Sequence, residues 1–458
     1  MRLTVKGARL LTMAPTSPEP FEGWLSVGDD GRIAALGPGE PPAPTGEVLD
    51  VGGAFVAPGF VSAHSHIWTT GSRGMATDQS LYGWIEAMTR YTRRAAADDV
   101  YWLTLHGALD YLNNGVTTVY DFADSRLAFT AASAGQGRWG GSFKPPAWAE
   151  AQIRAKVDAG IRFVHSVWLD DSVGTEHEAL ERLAETVAYA EGFRHHAPYL
   201  GMALSGAAQW SPTESTAALE VEAMHRHGLL NQPHLLETPH ALEEQWERFR
   251  WYQRAGAFGS SLIFGHFVHA RPEQIVEAAQ AGCGMVWQPA SNGRLASGVA
   301  DIPACRAAGM RVGVGLDDQS CSDQSDPFAN LRIGIYLLRA TRQDPGAMPV
   351  RDMLELHTLG SARVLGIDDR VGSLEVGKFA DFLVVDPRAP DTGPVWDAYG
   401  TYVLACGLRN LRRVYVGGRL MSLDGRICRP DGAEVSRQIH ERLGRLRREV
   451  DDQLVAIA

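Results

Sequence analysis

At 458 residues the chain is long enough for one large domain and a smaller companion. With 45% apolar and 21% charged residues, its composition is that of a folded globular protein and excludes disorder or a fibrous repeat. The net charge of -11, with no basic cluster, excludes a nucleic-acid binder, which needs a basic face to meet phosphates.

Five cysteines, Cys283, Cys305, Cys321, Cys406 and Cys428, form an odd set with no C-x-x-C pair. That pattern fits a reducing compartment and not a disulfide framework. No charged-then-apolar leader opens the sequence, and no apolar run is long enough to span a bilayer. A cytoplasmic protein without a membrane partner is therefore expected.

Residues 1–57 read as short strands and turns. Positions 2–13 alternate, 24–27 meet a turn at Asp29-Asp30-Gly31, 32–36 resume, and 47–51 lead through Gly52-Gly53 into 54–57. No helix is expected there. From residue 60 the texture changes to eight apolar strand candidates, at 60–67, 117–122, 162–169, 199–205, 230–236, 261–268, 284–289 and 311–316. Helical patterns lie between them at 149–159, 178–190, 217–227, 242–255, 272–281 and 302–308. Many end in glycine (Gly160, Gly228, Gly256, Gly282, Gly309), which suits a left-handed helix stop.

This alternation predicts an α/β fold with a (β/α)8 TIM barrel over residues 58–366. An open doubly wound sheet is the alternative, but no G-x-G-x-x-G follows the first strand. After residue 366 the β texture returns, at 371–376, 381–385, 413–416 and 419–423. These segments are expected to join the N-terminal strands in a small β-sandwich domain built from both chain ends, residues 1–57 and 367–428. Residues 429–458 supply a charged amphipathic helix, packed on the outside or at a subunit contact.

The first strand candidate runs into His64-Ser65-His66. Residues two apart on a strand share a face, so both imidazoles can grip one cation. Barrel active sites collect at the C-terminal ends of the strands. Strand five brings His234 and Glu237 to that end, strand six His266 and His269, strand eight Asp317 and Asp318. Taken singly, each has a structural explanation. A strand-end histidine is commonly satisfied by its neighbours, as expected for His106, His165, His225, His227 and His269. Glu237 alone can complement a helix dipole, and Asp317 alone can cap a helix. Their coincidence at one barrel end argues instead for a metal site with acid/base groups beside it.

Several motifs then resemble the amidohydrolase superfamily, in the branch of aminopurine, S-adenosylhomocysteine and triazine deaminases and chlorohydrolases. Pro58-Gly59-Phe60-Val61-Ser62-Ala63-His64-Ser65-His66 resembles its first metal-binding strand. Arg73-Gly74 with Leu81-Tyr82-Gly83-Trp84 resembles the loop that closes over the site. Asn114-Gly115-Val116-Thr117-Thr118, His234-Leu235-Leu236-Glu237-Thr238, Ser291-Asn292 with Leu295-Ala296-Ser297-Gly298, and the stretch from Gly372 to Asp381 continue the match to about Asp386.

The resemblance implies one divalent ion, zinc or alternatively iron, on His64, His66, His234 and Asp317. Two-metal relatives use a modified lysine or another ligand from strand four, and 199–205 contains no lysine, glutamate or cysteine. It also implies catalytic roles: Asp317 accepts the attacking water's proton, Glu237 protonates the ring nitrogen and then the departing group, and His266 steadies the attacking oxygen. Trp84, Asn292, Asp318 and Cys321 are expected to meet substrate. The branch further implies a homo-oligomer.

Asp318 and Cys321 resemble the melamine deaminases, where atrazine chlorohydrolases carry asparagine and serine. An acid hydrogen-bonded to a thiol helps protonate departing ammonia, which chloride does not need; equally, Cys321 fits as a small buried residue. Nucleoside deaminases carry a ribose-binding glutamate where this sequence has Arg93, and their segment after strand three is absent, so a flat base is expected in preference to a nucleoside. Gln232 stands where many relatives have histidine. Residues 136–146 read as a glycine-rich loop. Trp68, Trp84, Trp168 and Trp210 are placed to stack on a flat heterocycle. The expected activity is hydrolytic replacement of an exocyclic amine on an N-heteroaromatic ring, releasing ammonia. The alternatives are another leaving group, such as chloride or an alkylamine, and a catalytically silent binding protein.

Overall fold

The computed structural model describes residues 2–44, 46–92, 94–123, 128–132, 136–140, 144–169, 171, 174–429 and 431–457. Five strands open the chain, Leu3–Leu10, Phe21–Val27, Ile33–Pro38, Glu47–Asp50 and Phe55–Pro58. They form one nine-stranded sheet with Phe382–Val385, Leu411–Val416, Arg419–Leu423 and Arg426–Ile427. The two chain ends meet where Phe55–Pro58 pairs antiparallel with Phe382–Val385, Pro58 opposite Phe382. Side chains of period two fill one face: Leu3, Val5, Leu25, Val27, Val56, Phe382, Val384 and Tyr415 share a buried cluster. The Phe382 and Tyr415 rings stack with centroids 4.5 Å apart.

Residues 371–376, expected as a strand, turn instead. Gly372 takes φ +93, and a Cβ there would come within 2.7 Å of Ala362 Cβ, so the chain bends where only glycine fits. The terminal sheet is tied to the rest of the molecule by a buried ion pair, Arg162 Nη2 donating to Asp381 Oδ1 at 2.9 Å.

Between the chain ends, parallel strands alternate with helices. Phe60–His66, Val116–Phe122, Arg162–Trp168 and Tyr199–Ser205 pair in sequence order. The fifth strand is split. Leu230–Asn231 pairs back with the fourth strand, and His234–Leu235 pairs onward with Ile263–His266. The break falls at Gln232-Pro233, where proline has no N–H to offer a ladder. Gly284–Trp287 and Arg311–Val314 continue the order. The eighth strand is split in turn, and its second piece, Asp317–Asp318, pairs with Ser65 and His66. The parallel pairings thus return to the first strand.

Three of the six expected helices open earlier than the apolar pattern alone suggests, and three, at Leu242, Pro272 and Ile302, begin where expected. Pro146–Ala159 begins on proline, whose missing N–H is harmless in a first turn. Glu176–Glu191 is preceded by Thr175, whose backbone N–H donates to Glu178 Oε2 at 2.8 Å while its hydroxyl accepts from Glu178 N. At the C-terminus of Pro146–Ala159, Gly160 takes φ +80, the expected left-handed stop.

Three further helices, Leu81–Thr92, Ala97–Asn113 and Pro327–Arg342, were not anticipated. The first replaces the expected loop over the site. Residues 136–146 are not a plain loop either: Gln136–Gly140 pairs antiparallel with Ala128–Ala132, and Pro146 already begins a helix. Arg93 lies outside the described residues. The C-terminal helix Gly432–Ile457 packs inward. Arg442 and Arg445 both reach Asp99, and Ile439 and Leu446 join the apolar cluster that holds Trp68, Trp84 and Cys321. No helix among the described residues is long and apolar enough to cross a membrane.

Candidate active site

The first strand does not alternate uniformly. Ser62 pairs with Val119 and Ser65 with Asp121, so three steps on one strand face two on the other, which is a β-bulge. Val61 and Ala63 face the inner apolar cluster with Tyr120 and Phe122. After the bulge His64 and His66 face the same way, and both rings lie against Phe122 at 4.3 and 4.7 Å. Ser62 holds the irregularity: its hydroxyl donates to His64 O at 3.0 Å and accepts from Ser65 Oγ and Leu316 N.

Four side chains converge from strands one, five and eight. His66 Nε2 lies 3.3 Å from His64 Nε2 and 3.1 Å from His234 Nε2. Asp317 Oδ1 lies 3.3 Å from His64 Nε2 and 3.7 Å from His66 Nε2. All four donor atoms fall within 4.8 Å of one another, and all four residues are buried. Three imidazole nitrogens this close cannot all be satisfied by one another, because each pair shares at most one proton. A common cation between the lone pairs satisfies them together, and three nitrogens with one carboxylate suit a zinc-type ion. Burial, reinforced by the neighbouring histidines, pushes His66 and His234 well below the ordinary histidine range, so both stay neutral and can ligate.

A second group stands beside the first. His266 Nε2 lies 3.5 Å from Glu237 Oε2 and 4.0 Å from Asp317 Oδ2. Burial, followed by the Asp317 charge, pushes Glu237 well above the carboxylate range. Burial also acts to raise Asp317, but His266, His64 and His66 outweigh it and hold that carboxyl well below its usual range. The backbone is strained here: Leu236, His266, Phe267 and Asp317 all take positive φ, between 52° and 68°. Non-glycine residues in that region cluster where a site over-determines them.

Asp318 and Cys321 complete one side. Cys321 Sγ lies 3.7 Å from Asp318 Oδ2. Burial and then the Asp317 charge push Asp318 well above the carboxylate range, and burial with the Asp318 charge raises the Cys321 thiol in the same way. Both therefore carry protons.

The cavity above these groups is lined by Trp68, Trp84, Trp168 and Trp210. Trp168 stacks on His234, 5.6 Å between centroids and 13° between planes. Trp84 is supplied by helix Leu81–Thr92, together with Leu81, Ile85 and Met88. A larger space of about 490 Å³ lies beside it, bordered by Tyr82, Trp210 and Arg248.

Asn292, expected against substrate, is not among the residues lining this cavity. It is fully buried, with Nδ2 3.0 Å from His266 Nδ1, and so reaches the site only through His266. Of the histidines expected to be structural, His165 meets Lys156 Nζ at 2.7 Å and His269 lies 2.7 Å from Ser297 O. The sequence reading gave no role to Phe122 or Ser62, and it noted Gln232 only as a departure. Phe122 ends an apolar strand like any core residue, and Ser62 acts through a bulge that has no local signature.

The sequence matches the amidohydrolase family over residues 55–421. A 5-methylthioadenosine/S-adenosylhomocysteine deaminase of Syntrophobacter fumaroxidans is 29% identical over 452 residues, 95% of this chain and 96% of that protein. Among solved structures, an adenosine deaminase from Xanthomonas campestris with bound zinc superposes with a TM-score of 0.83 at 22% identity, covering 97% of this chain and 98% of its own. The atrazine chlorohydrolase of Arthrobacter aurescens, complexed with zinc, has a TM-score of 0.82 at 19% identity, covering 96% of this chain and 100% of its own. The match spans most of the chain and includes every strand that contributes to the buried histidine–aspartate cluster: the chain belongs to the amidohydrolase family.

Proposed function

We propose that the protein is a metal-dependent aminohydrolase that replaces an exocyclic amine on an N-heteroaromatic ring with oxygen and releases ammonia. The observation that carries this reading is the buried convergence of His64, His66, His234 and Asp317 with Glu237 and His266 beside them, where burial pushes the Glu237 carboxyl up and the histidines hold Asp317 down. Two acids driven apart in this way supply an acid and a base at one pH.

His64, His66, His234 and Asp317 would hold the ion, one per chain, with zinc the best fit to the donors and iron the alternative. Strand Tyr199–Ser205 offers no lysine, glutamate or cysteine for a second ion. When bound, such an ion supplies Lewis acidity that makes water nucleophilic near neutral pH. Asp317 takes the proton of the attacking water. Glu237 delivers its proton to the ring nitrogen beside the carbon under attack, which lets that carbon accept the oxygen. His266, held by Asn292 at Nδ1, presents Nε2 to the attacking oxygen. The proton taken from the water by Asp317 returns through Glu237 to the amine, which leaves as ammonia, with Asp318 and Cys321 beside it as further hydrogen-bond donors. Trp68, Trp84, Trp168 and Trp210 offer flat faces for the ring.

The relatives named as deaminases support loss of an amine. Likeness to a chlorohydrolase keeps a halide or alkylamine leaving group as the second reading, and the protonated Asp318–Cys321 pair favours the amine. A screen for ammonia release across aminated purines, pyrimidines, pteridines and triazines tests the proposal. Silence across the panel from zinc-loaded protein, with chloride released from a chlorotriazine, would replace it with the second reading.

The returning order of parallel pairings supports a (β/α)8 TIM barrel over residues 58–366. The shared terminal sheet supports a small β-sandwich domain from 1–57 and 367–428, with 429–458 as a C-terminal helix. The free cysteines support a cytoplasmic protein. A homo-oligomer remains part of the proposal.

A further inference from the structure

Gln232 occupies the break in strand five, and its side chain crosses to strand one. It is fully buried, and its backbone N–H is fixed to Leu204 O at 3.0 Å. The side-chain nitrogen Nε2 donates to Ala63 O at 3.0 Å. A backbone carbonyl only accepts, so this end of the amide must be the NH2 group and the other end must be the oxygen. That oxygen, Oε1, lies 2.6 Å from His64 Nδ1. An amide oxygen only accepts, so His64 Nδ1 must carry a proton.

We infer that Gln232 is a positioning residue that fixes His64 in the Nδ1–H form and turns its Nε2 toward His66, His234 and Asp317. The amide is read at both ends, which leaves no freedom to flip it. A histidine here would present ring nitrogens whose proton can move, whereas an amide presents the same acceptor at every working pH. The partner of a ligand's second nitrogen sets which nitrogen is free to bind and how basic it is. This inference extends the metal reading above, but the tautomer of His64 stands independently of it.

The test uses the full-length chain with Gln232→Met, which keeps the length and loses both hydrogen bonds, and Gln232→Glu, which keeps the acceptor for His64 and loses the donor to Ala63. Nitrogen-15 histidine spectra of the metal-free proteins report the His64 tautomer. Competition with a chelator reports zinc affinity. Wild type and Gln232→Glu should show a protonated Nδ1. Gln232→Met should show a tautomer mixture and bind zinc about 10- to 100-fold more weakly. A Gln232→Met protein with an unchanged tautomer and unchanged zinc affinity would overturn the inference. If that variant does not fold, a Gln232→Glu protein whose His64 has lost the Nδ1 proton would overturn it equally. Should the wild type bind no zinc, the metal reading fails while the tautomer spectra still decide the role of Gln232.

Discussion

Glu237 and Asp317 share one buried pocket, with carboxylate oxygens within 4.8 Å of each other and His266 Nε2 between them. Two like charges that close in a buried site are costly, and the histidines favour the charge on Asp317. Protonation of Glu237 is therefore a property of the site. Burial comes first in raising Glu237, and the Asp317 charge adds to it.

Glu237→Gln keeps the shape of the side chain and removes its acid function. The variant should bind about one zinc per chain, as wild type does, and release ammonia about a thousandfold more slowly. Metal analysis beside a steady-state assay separates the two effects. Full activity in the variant would remove Glu237 from the proton path.

Cys321→Ser replaces a raised thiol with a weaker acid and shortens the reach to Asp318. Ammonia release should fall roughly tenfold, while hydrolysis of a chlorinated analogue, whose leaving group needs no proton, should change little. Equal losses on both substrates would mean that Cys321 only fills space.

Stability should depend on pH through Glu220, which sits away from the cavity. It accepts from Ala207 N, Ala208 N, Asn231 Nδ2 and Tyr252 OH, yet burial pushes its carboxyl up to about 7. Because the folded value is raised above the unfolded one, its contribution is largest below about pH 4.5 and is lost as pH rises through 7. Full ionisation costs on the order of 3 kcal/mol. Melting temperatures between pH 5 and 8.5 should fall more for wild type than for Glu220→Gln; parallel curves would contradict this.

Lys156 and Asp121 form an ion pair with no solvent exposure, and Asp121 Oδ1 also accepts from Ile67 N at 3.0 Å. Lys156→Met should leave a buried carboxylate unpaired and cost about 3–5 kcal/mol in urea unfolding. The double variant with Asp121→Asn should recover most of that loss. No recovery would show that Lys156 acts through packing alone.

The central alternation was legible because apolar strands and glycine-stopped helices leave local periodic patterns. His64 and His66 were legible from the two-residue period. The bulge between Ser62 and Ser65 was not, because it arises from hydroxyl contacts with Leu316, some 250 residues away. Helix Leu81–Thr92 was read as a loop because Leu81-Tyr82-Gly83-Trp84 resembles a closing loop of the family, although Leu81, Trp84, Ile85 and Met88 keep the one-faced spacing of a helix. Asn292 was placed against substrate by its position after strand seven, and only the fold reveals His266 beside it.

Sharing one sheet between the chain ends has a consequence for biosynthesis. Residues 3–58 emerge from the ribosome roughly three hundred residues before strand Phe382–Val385, with which they pair. At ordinary translation rates that is a wait on the order of tens of seconds, with the edge of Phe55–Pro58 unpaired. Slowing synthesis near the end of the message should therefore lower soluble yield, and chaperones that cover strand edges should raise it.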